Sequence, residues 1–202
     1  MNSRTLKIND RLNAAVDPTD RLRVITALHE ASHLVFAVIL DAEVYGCVGV
    51  PRANGKPPKN EMSPRSQLMG YMSCTHELPV ANAVISLAGW AFEHAYGEPE
   101  RALLDHRDAT RVFDESEMPK MELLAKKMLR KLESQIVECA DDILKNANRH
   151  GVVPRTRTQK VVKAVRAGLG PDSRDLGGRT AAWLAEVEEH GYQRWVRNSQ
   201  IS

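Results

Sequence analysis

The chain reads DRLRVITALHEASHLVFAVILD from residue 20 to residue 41. From Leu22 onward its apolar residues recur mostly at steps of three and four, which is typical of an α-helix with one buried face. After Leu34 the residues are apolar on every side, so this helix is predicted to lie in the core. Start signals at Thr19 or Asp20 and an end near Asp41 set its expected limits.

This helix contains an H-E-x-x-H motif, His29-Glu30-Ala31-Ser32-His33. The two histidines share one helix face, about 6 Å apart along the axis, and can hold one zinc ion. Glu30 projects beside the metal, where it can take a proton from a water that zinc has made acidic. It can then pass that proton to a leaving amine. The plainer alternative is a pair of core histidines beside a salt-bridged glutamate.

A third zinc ligand has to come from downstream, since catalytic zinc usually takes three protein ligands and leaves one position open. The extended motif with a third histidine six residues after His33 is absent. Glu93 is one candidate, and it could instead orient a ligand histidine. Spacing alone does not choose among the acidic and histidine residues that follow: His76, Glu93, His94, Glu98, Asp105, His106 and Asp108.

The remaining pattern predicts a mainly α fold with a small β-hairpin or sheet bordering the active site. Strands are expected at 44–50 and 68–75, joined by a long proline-rich loop. Further helices are expected at 79–96, 104–114, 119–148, 158–167 and 180–197. The predicted organisation is a lead-in (1–19), a metallopeptidase domain (20–167), and a linker with a C-terminal helix (168–202).

Composition narrows the classes of function. The chain has 202 residues, enough for one domain, and Lys plus Arg (28) nearly balances Asp plus Glu (26). This balance gives no reason to expect nucleic acid or an acidic membrane as partner. Cys47, Cys74 and Cys139 are too few and too scattered for a disulfide framework or a cysteine zinc site. The most apolar run, 34–40, is too short to span a bilayer. We therefore expect a cytoplasmic protein without membrane insertion.

Three segments follow HEASH in a fixed order: VGVPRANG at 48–55, AGWAFEHAYGE at 88–98 and LDHRDAT at 104–110. Together the four segments resemble the protease domain of the FtsH family, the membrane-linked AAA+ zinc metallopeptidases. The family has H-E-A-G-H, a strand ending in a P-R-G-like turn, G-G-R-x-A-E-x-x-x-x-G-E and N-D-L-x-x-A-T. The resemblance covers about residues 20–150. Ser32 stands where the family has glycine, and Trp90 where it has arginine.

The resemblance implies a helical, zincin-like fold with zinc held by His29, His33 and Asp105, and with Glu30 as the catalytic base and acid. The substrate implied is a protein or peptide. The sequence contains no G-x-x-x-x-G-K-[ST] phosphate loop, so cleavage is expected to be ATP-independent on this chain. Such an enzyme would cut flexible segments or work with a separate unfoldase, and it could form a homo-oligomer.

Two other readings compete with the endopeptidase. The chain could be a non-catalytic adaptor or regulatory protein built on the same zinc-peptidase fold, a hypothesis that Glu30→Gln would test. It could also be a helical structural protein whose motif is accidental. In that last case Asp105 should lie far from both histidines, and a separation above about 10 Å would exclude it as a ligand.

Overall fold

The computed structural model describes residues 7–59, 70–97 and 103–199. They form a mainly helical protein, as the sequence predicted, and its four strands have two residues each. The elements are α1 (Ile8–Ala14), α2 (Pro18–Ile39), β1 (Glu43–Val44), β2 (Val48–Gly49), β3 (Cys74–Thr75), α3 (Pro79–Tyr96), α4 (Leu103–Thr110), α5 (Met118–Lys131), α6 (Glu133–Asn146), β4 (Val152–Val153), α7 (Arg155–Gly168) and α8 (Pro171–Ser199).

Helix α2 is the central element. Its first turn is capped by the Asp17 carboxylate, which accepts hydrogen bonds from the N–H groups of Thr19 and Asp20. Pro18 occupies the first turn, where no N–H is needed. The helix packs against α3, α6, α7 and α8. It is long and apolar enough to cross a membrane, but 72% of its most apolar window is buried inside the protein. It is therefore a core helix here.

Helix α3 forms the second wall of the core, and its bounds are those that the sequence predicted. Twelve of its 18 residues are buried. Small residues dominate this helix, which lets neighbouring backbones approach closely. α3 packs against α2, α4 and α5, and it thereby joins the two histidines of α2 to the acidic residues of α4.

The strands lie beside α2. β1 pairs antiparallel with β3, and Gly49 forms an antiparallel bridge with Tyr71 farther along the same two segments. Between these two contacts the first segment has four residues, 45–48, and the second has two, 72–73. The predicted hairpin is therefore present, although residues 60–69 of its loop lie outside the described part. The sequence did not predict β4, which pairs with β2.

The predicted long helix over 119–148 is two helices in the structure. α5 ends at Lys131, and α6 begins at Glu133. At Leu132 the backbone leaves helical geometry, with φ −109° and ψ 9°, and its N–H contacts the carbonyls of both Met128 and Leu129. The helix is interrupted at this one residue, and Leu132 is fully buried.

Both ends of the described chain pack more closely than the sequence predicted. α1 lies within the expected lead-in, and Ile8 and Leu12 are buried against the core. The expected linker at Gly177-Gly178 is instead part of α8. A Cβ on Gly177 would lie 2.6 Å from the carbonyl oxygen of Ile39, so this glycine permits close packing of α8 on α2. α7 and α8 are separated by Leu169 and Gly170 alone.

Candidate metal centre

His29 and His33 lie one helical turn apart on the same face of α2. Their Nε2 atoms are 3.1 Å apart, and both rings are largely buried. Each ring is held from behind through Nδ1. His33 Nδ1 lies 2.8 Å from the backbone oxygen of Ile85, and His29 Nδ1 lies 3.0 Å from Glu93 Oε1.

These contacts determine the orientation of both rings. A carbonyl or carboxylate oxygen only accepts hydrogen bonds, so Nδ1 carries the proton in each contact. The Nε2 lone pairs of the neutral rings then point at the same space. This is how histidine ligands are usually arranged around a metal, with the second ring nitrogen donating to a carboxylate or a carbonyl.

Asp105 brings a third acceptor to this space. Its Oδ2 lies 3.3 Å from His29 Nε2 and 3.6 Å from His33 Nε2. Oδ2 is buried and has no hydrogen-bond partner within the described part of the chain. The three ligand atoms are therefore separated by 3.1, 3.3 and 3.6 Å. Two ligands bonded at about 2.0–2.1 Å to a tetrahedral ion lie about 3.3–3.4 Å apart. The geometry fits one small cation.

The pKa shifts of His29 and Asp105 also indicate that this site favours a positive charge. Burial alone lowers the pKa of His29, but its contacts with Asp105 and Glu93 outweigh that effect and raise the pKa to about 10. For Asp105, burial acts to raise the pKa, yet His33 and His29 hold it well below its usual range. Three lone-pair donors this close repel one another unless a proton or a metal ion lies among them.

Gly89 on α3 leaves the space that an ion needs. A Cβ at this position would lie 2.4 Å from His33 Nε2, 2.5 Å from Asp105 Oδ2 and 2.7 Å from His29 Cε1. Any larger residue would therefore place its side chain among the three ligand atoms. The sequence alone gave no signal for this role, because only the fold brings α3 against α2 at this residue.

Glu30 lies beside the same site and lines a cleft. Its side chain is buried, and burial raises the pKa of its carboxyl group. A Cβ at Gly70 would lie 2.3 Å from Glu30 Oε1, so the segment leading to β3 passes directly against this carboxylate. The cleft has a volume of about 890 Å³. Residues 70–75 line one side, and Leu104, Asp108 and Val112 line another.

The other candidate ligands lie elsewhere or play other parts. Glu93 contacts His29 from behind, and it is not among the grouped ligand atoms. Asp108 pairs with Arg111, and His106 pairs with Glu122. His94 contacts the backbone oxygen of Trp90. His76 Nδ1 accepts from the N–H of Leu78. Glu98 lies outside the described residues.

Comparisons with protein-family models, with curated proteins and with solved structures found no match for this chain. What the site can do therefore follows from its own geometry. His29, His33 and Asp105 form a group that could hold a metal ion, because their ligand atoms lie within 4.8 Å of one another. Two imidazoles and one carboxylate suit a first-row divalent metal.

Proposed function

We propose that this chain is a zinc-dependent endopeptidase that resembles the FtsH protease domain and acts without ATP of its own. The convergence of His29 Nε2, His33 Nε2 and Asp105 Oδ2 beside the Glu30 carboxylate carries the proposal. Three protein ligands leave a fourth tetrahedral position open, which is the arrangement of catalytic rather than structural zinc. The open cleft gives a substrate access to that position.

The chemistry divides between the ion and the side chains. A zinc ion held by the three ligands supplies Lewis acidity, which polarises a carbonyl group and makes a nearby water acidic. Glu30 accepts one proton from that water as the water oxygen forms a bond to the peptide carbonyl carbon. When the C–N bond breaks, Glu30 returns the proton to the leaving amine. Burial raises the pKa of Glu30, which makes its carboxylate a stronger base than an exposed glutamate.

The segment 70–75 supports a polypeptide as the substrate. It lies at the cleft, and its β3 residues, Cys74 and Thr75, pair on one side with β1. An extended peptide could add to the other side through main-chain hydrogen bonds, which tolerate many sequences. Folded proteins present few extended segments. The substrates proposed are therefore flexible or already unfolded chains, delivered with or without a separate unfoldase.

The test is cleavage of an unfolded protein by the zinc-loaded chain and by Glu30→Gln. The variant keeps the shape of the side chain but cannot accept the proton, so cleavage should fall about 10²–10⁴-fold. Zinc content should stay at one ion per chain. Glu77→Gln, which changes an exposed glutamate outside the cleft lining, is the matched control and should cleave normally.

Two outcomes contradict the proposal. Cleavage that persists in Glu30→Gln removes the assigned base. A wild-type chain that binds zinc but cleaves no unfolded substrate, alone or with an added unfoldase, favours the adaptor or regulatory protein instead.

A further inference from the structure

Helix α4 carries Asp105, but few side chains of α4 are buried against the rest of the protein. Of its eight residues, Ala109 alone is buried. Asp105 Oδ2 faces the two histidine rings and makes no further hydrogen bond in the described part of the chain that could fix the carboxylate. The position of this ligand therefore depends on how the whole of α4 sits on its neighbour α3.

Two adjacent residues on α3 face two adjacent residues on α4. Gly89 lies against the Asp105 carboxylate, and the Trp90 ring lies 5.7 Å from the His106 ring, measured between centroids. A slide or rotation of α4 that moved Asp105 away from the histidines would also separate His106 from Trp90. The contact between the two rings therefore restrains the position of α4 relative to α3.

His106 is also held from α5. Its Nε2 lies 2.9 Å from Glu122 Oε1, so the ring is fixed at its face by Trp90 and at its edge by a carboxylate. Trp90 is itself well anchored. It is buried, His94 packs 4.3 Å away, and the Lys126 ammonium lies 4.6 Å from its ring centroid. Trp90, His106 and Glu122 therefore form a cluster that joins α3, α4 and α5 next to Asp105.

We propose that His106, held between Trp90 and Glu122, is a positioning residue that places Asp105 for metal binding. The inference rests on the metal centre of the proposed function and adds a set of residues that do not touch the metal. The main effect of the cluster is on metal affinity, because α4 contributes one buried side chain to the core.

The experiment measures zinc affinity, by competition with a chelator of known affinity, for wild type, His106→Ala and Glu122→Ala. Loss of a group that orients a ligand typically costs 10–100-fold in metal affinity, and we expect this loss in both variants. The cobalt-substituted proteins should show weaker visible absorption as tetrahedral geometry is lost. Arg107→Ala and Leu123→Ala, which change exposed neighbours on the same two helices, are the controls and should match wild type.

A conservative variant separates positioning from folding. Glu122→Gln keeps a hydrogen-bond acceptor for His106 and should recover most of the affinity, while the melting temperatures of the metal-free proteins stay close together. If His106→Ala does not fold, the comparison of zinc affinity between Glu122→Ala and Glu122→Gln tests the proposal. Zinc affinities of both alanine variants within twofold of wild type would overturn the proposal, as would a wild-type chain that binds no metal. A zinc-binding chain that cleaves nothing overturns the proposed proteolysis but leaves this positioning role standing.

Discussion

At the scale of single residues, the metal centre is made as much by the groups behind the ligands as by the ligands. The motif on α2 supplies two imidazoles, but their orientation comes from Ile85 and Glu93 on α3. Without those two acceptors either ring could carry its proton on Nε2 and lose its lone pair. The orientation of the two histidines therefore depends on the contact between α2 and α3 as much as on the motif itself.

Gly89→Ala tests whether the ion lies where the ligand atoms converge. The new methyl group would occupy that space, so zinc affinity should fall by at least 100-fold, as measured by chelator competition. The helix itself should tolerate the change, since alanine is favoured over glycine in helices by about 1 kcal/mol.

Gly178→Ala is the matched control for this change, because it adds a methyl group to a helical glycine with open space around it. Its zinc affinity should equal that of wild type. Normal zinc affinity in Gly89→Ala would show that a metal, if one binds, lies elsewhere.

The residues of the site differ in how far the sequence revealed them. His29, Glu30 and His33 are four residues or fewer apart, so helical periodicity alone places them together. The spacing left several third ligands open, and the resemblance selected Asp105, which the structure brings to within 3.6 Å of both histidine nitrogens. Gly89 and the Ile85 carbonyl gave no signal, since their roles arise from packing between distant segments.

At the scale of elements, α4 and the turn after it give the cleft an apolar wall. Leu104 and Val112 line the cleft, and their side chains are 47% and 38% exposed. Tyr45 adds a third exposed apolar group from the strand side. Exposed apolar surface of this kind gains free energy when a partner covers it. A bulky apolar side chain of the substrate would fit this wall.

If the chain is the proposed endopeptidase, Leu104→Ala should therefore reduce its preference for such substrates. We expect kcat/KM for a peptide with leucine near the cleaved bond to fall about fivefold, corresponding to roughly 1 kcal/mol of lost burial. A peptide with alanine at that position should be affected less. Leu103→Ala is the control, because Leu103 is more exposed but does not line the cleft. Equal losses in the two variants would contradict an apolar subsite at Leu104.

Elements with a strong local pattern were predicted well. α3 has its predicted bounds because proline at its start and Gly97 after its end limit an apolar run. The break at Leu132 was missed, since leucine favours helix and the apolar stripe with a period of 3.6 residues continues through it. β4 was missed because a two-residue strand before Pro154 has no periodicity to detect. Its existence depends on pairing with β2, about a hundred residues earlier.

At the scale of the whole molecule, protons and zinc compete for the same site, so stability should depend on pH in opposite ways with and without metal. The folded-state pKa of His29, about 10, lies above its ordinary value of 6.5. Its protonation therefore stabilises the metal-free fold below pH 6.5, and this contribution is lost as pH rises towards 10. Zinc binding has to displace that proton.

The rise in melting temperature on adding a fixed excess of zinc should consequently grow between about pH 5.5 and pH 8. Apparent zinc affinity should increase up to tenfold per pH unit for each proton displaced. Thermal unfolding across this range, with and without zinc, measures both. His33→Ala should show little zinc effect at either pH. A zinc effect of equal size at both ends of the range would mean that His29 does not bind the ion.

The burial of α2 has a consequence for how the protein is made. The helix that holds both histidines packs against α6, which begins about 95 residues later in the chain. At a synthesis rate of roughly 5–20 residues per second, α2 waits on the order of 5–20 s for this partner. During that interval the apolar surface that α6 will cover stays exposed to water. The helix that carries two of the candidate metal ligands is therefore also at risk of aggregation while the chain is being made.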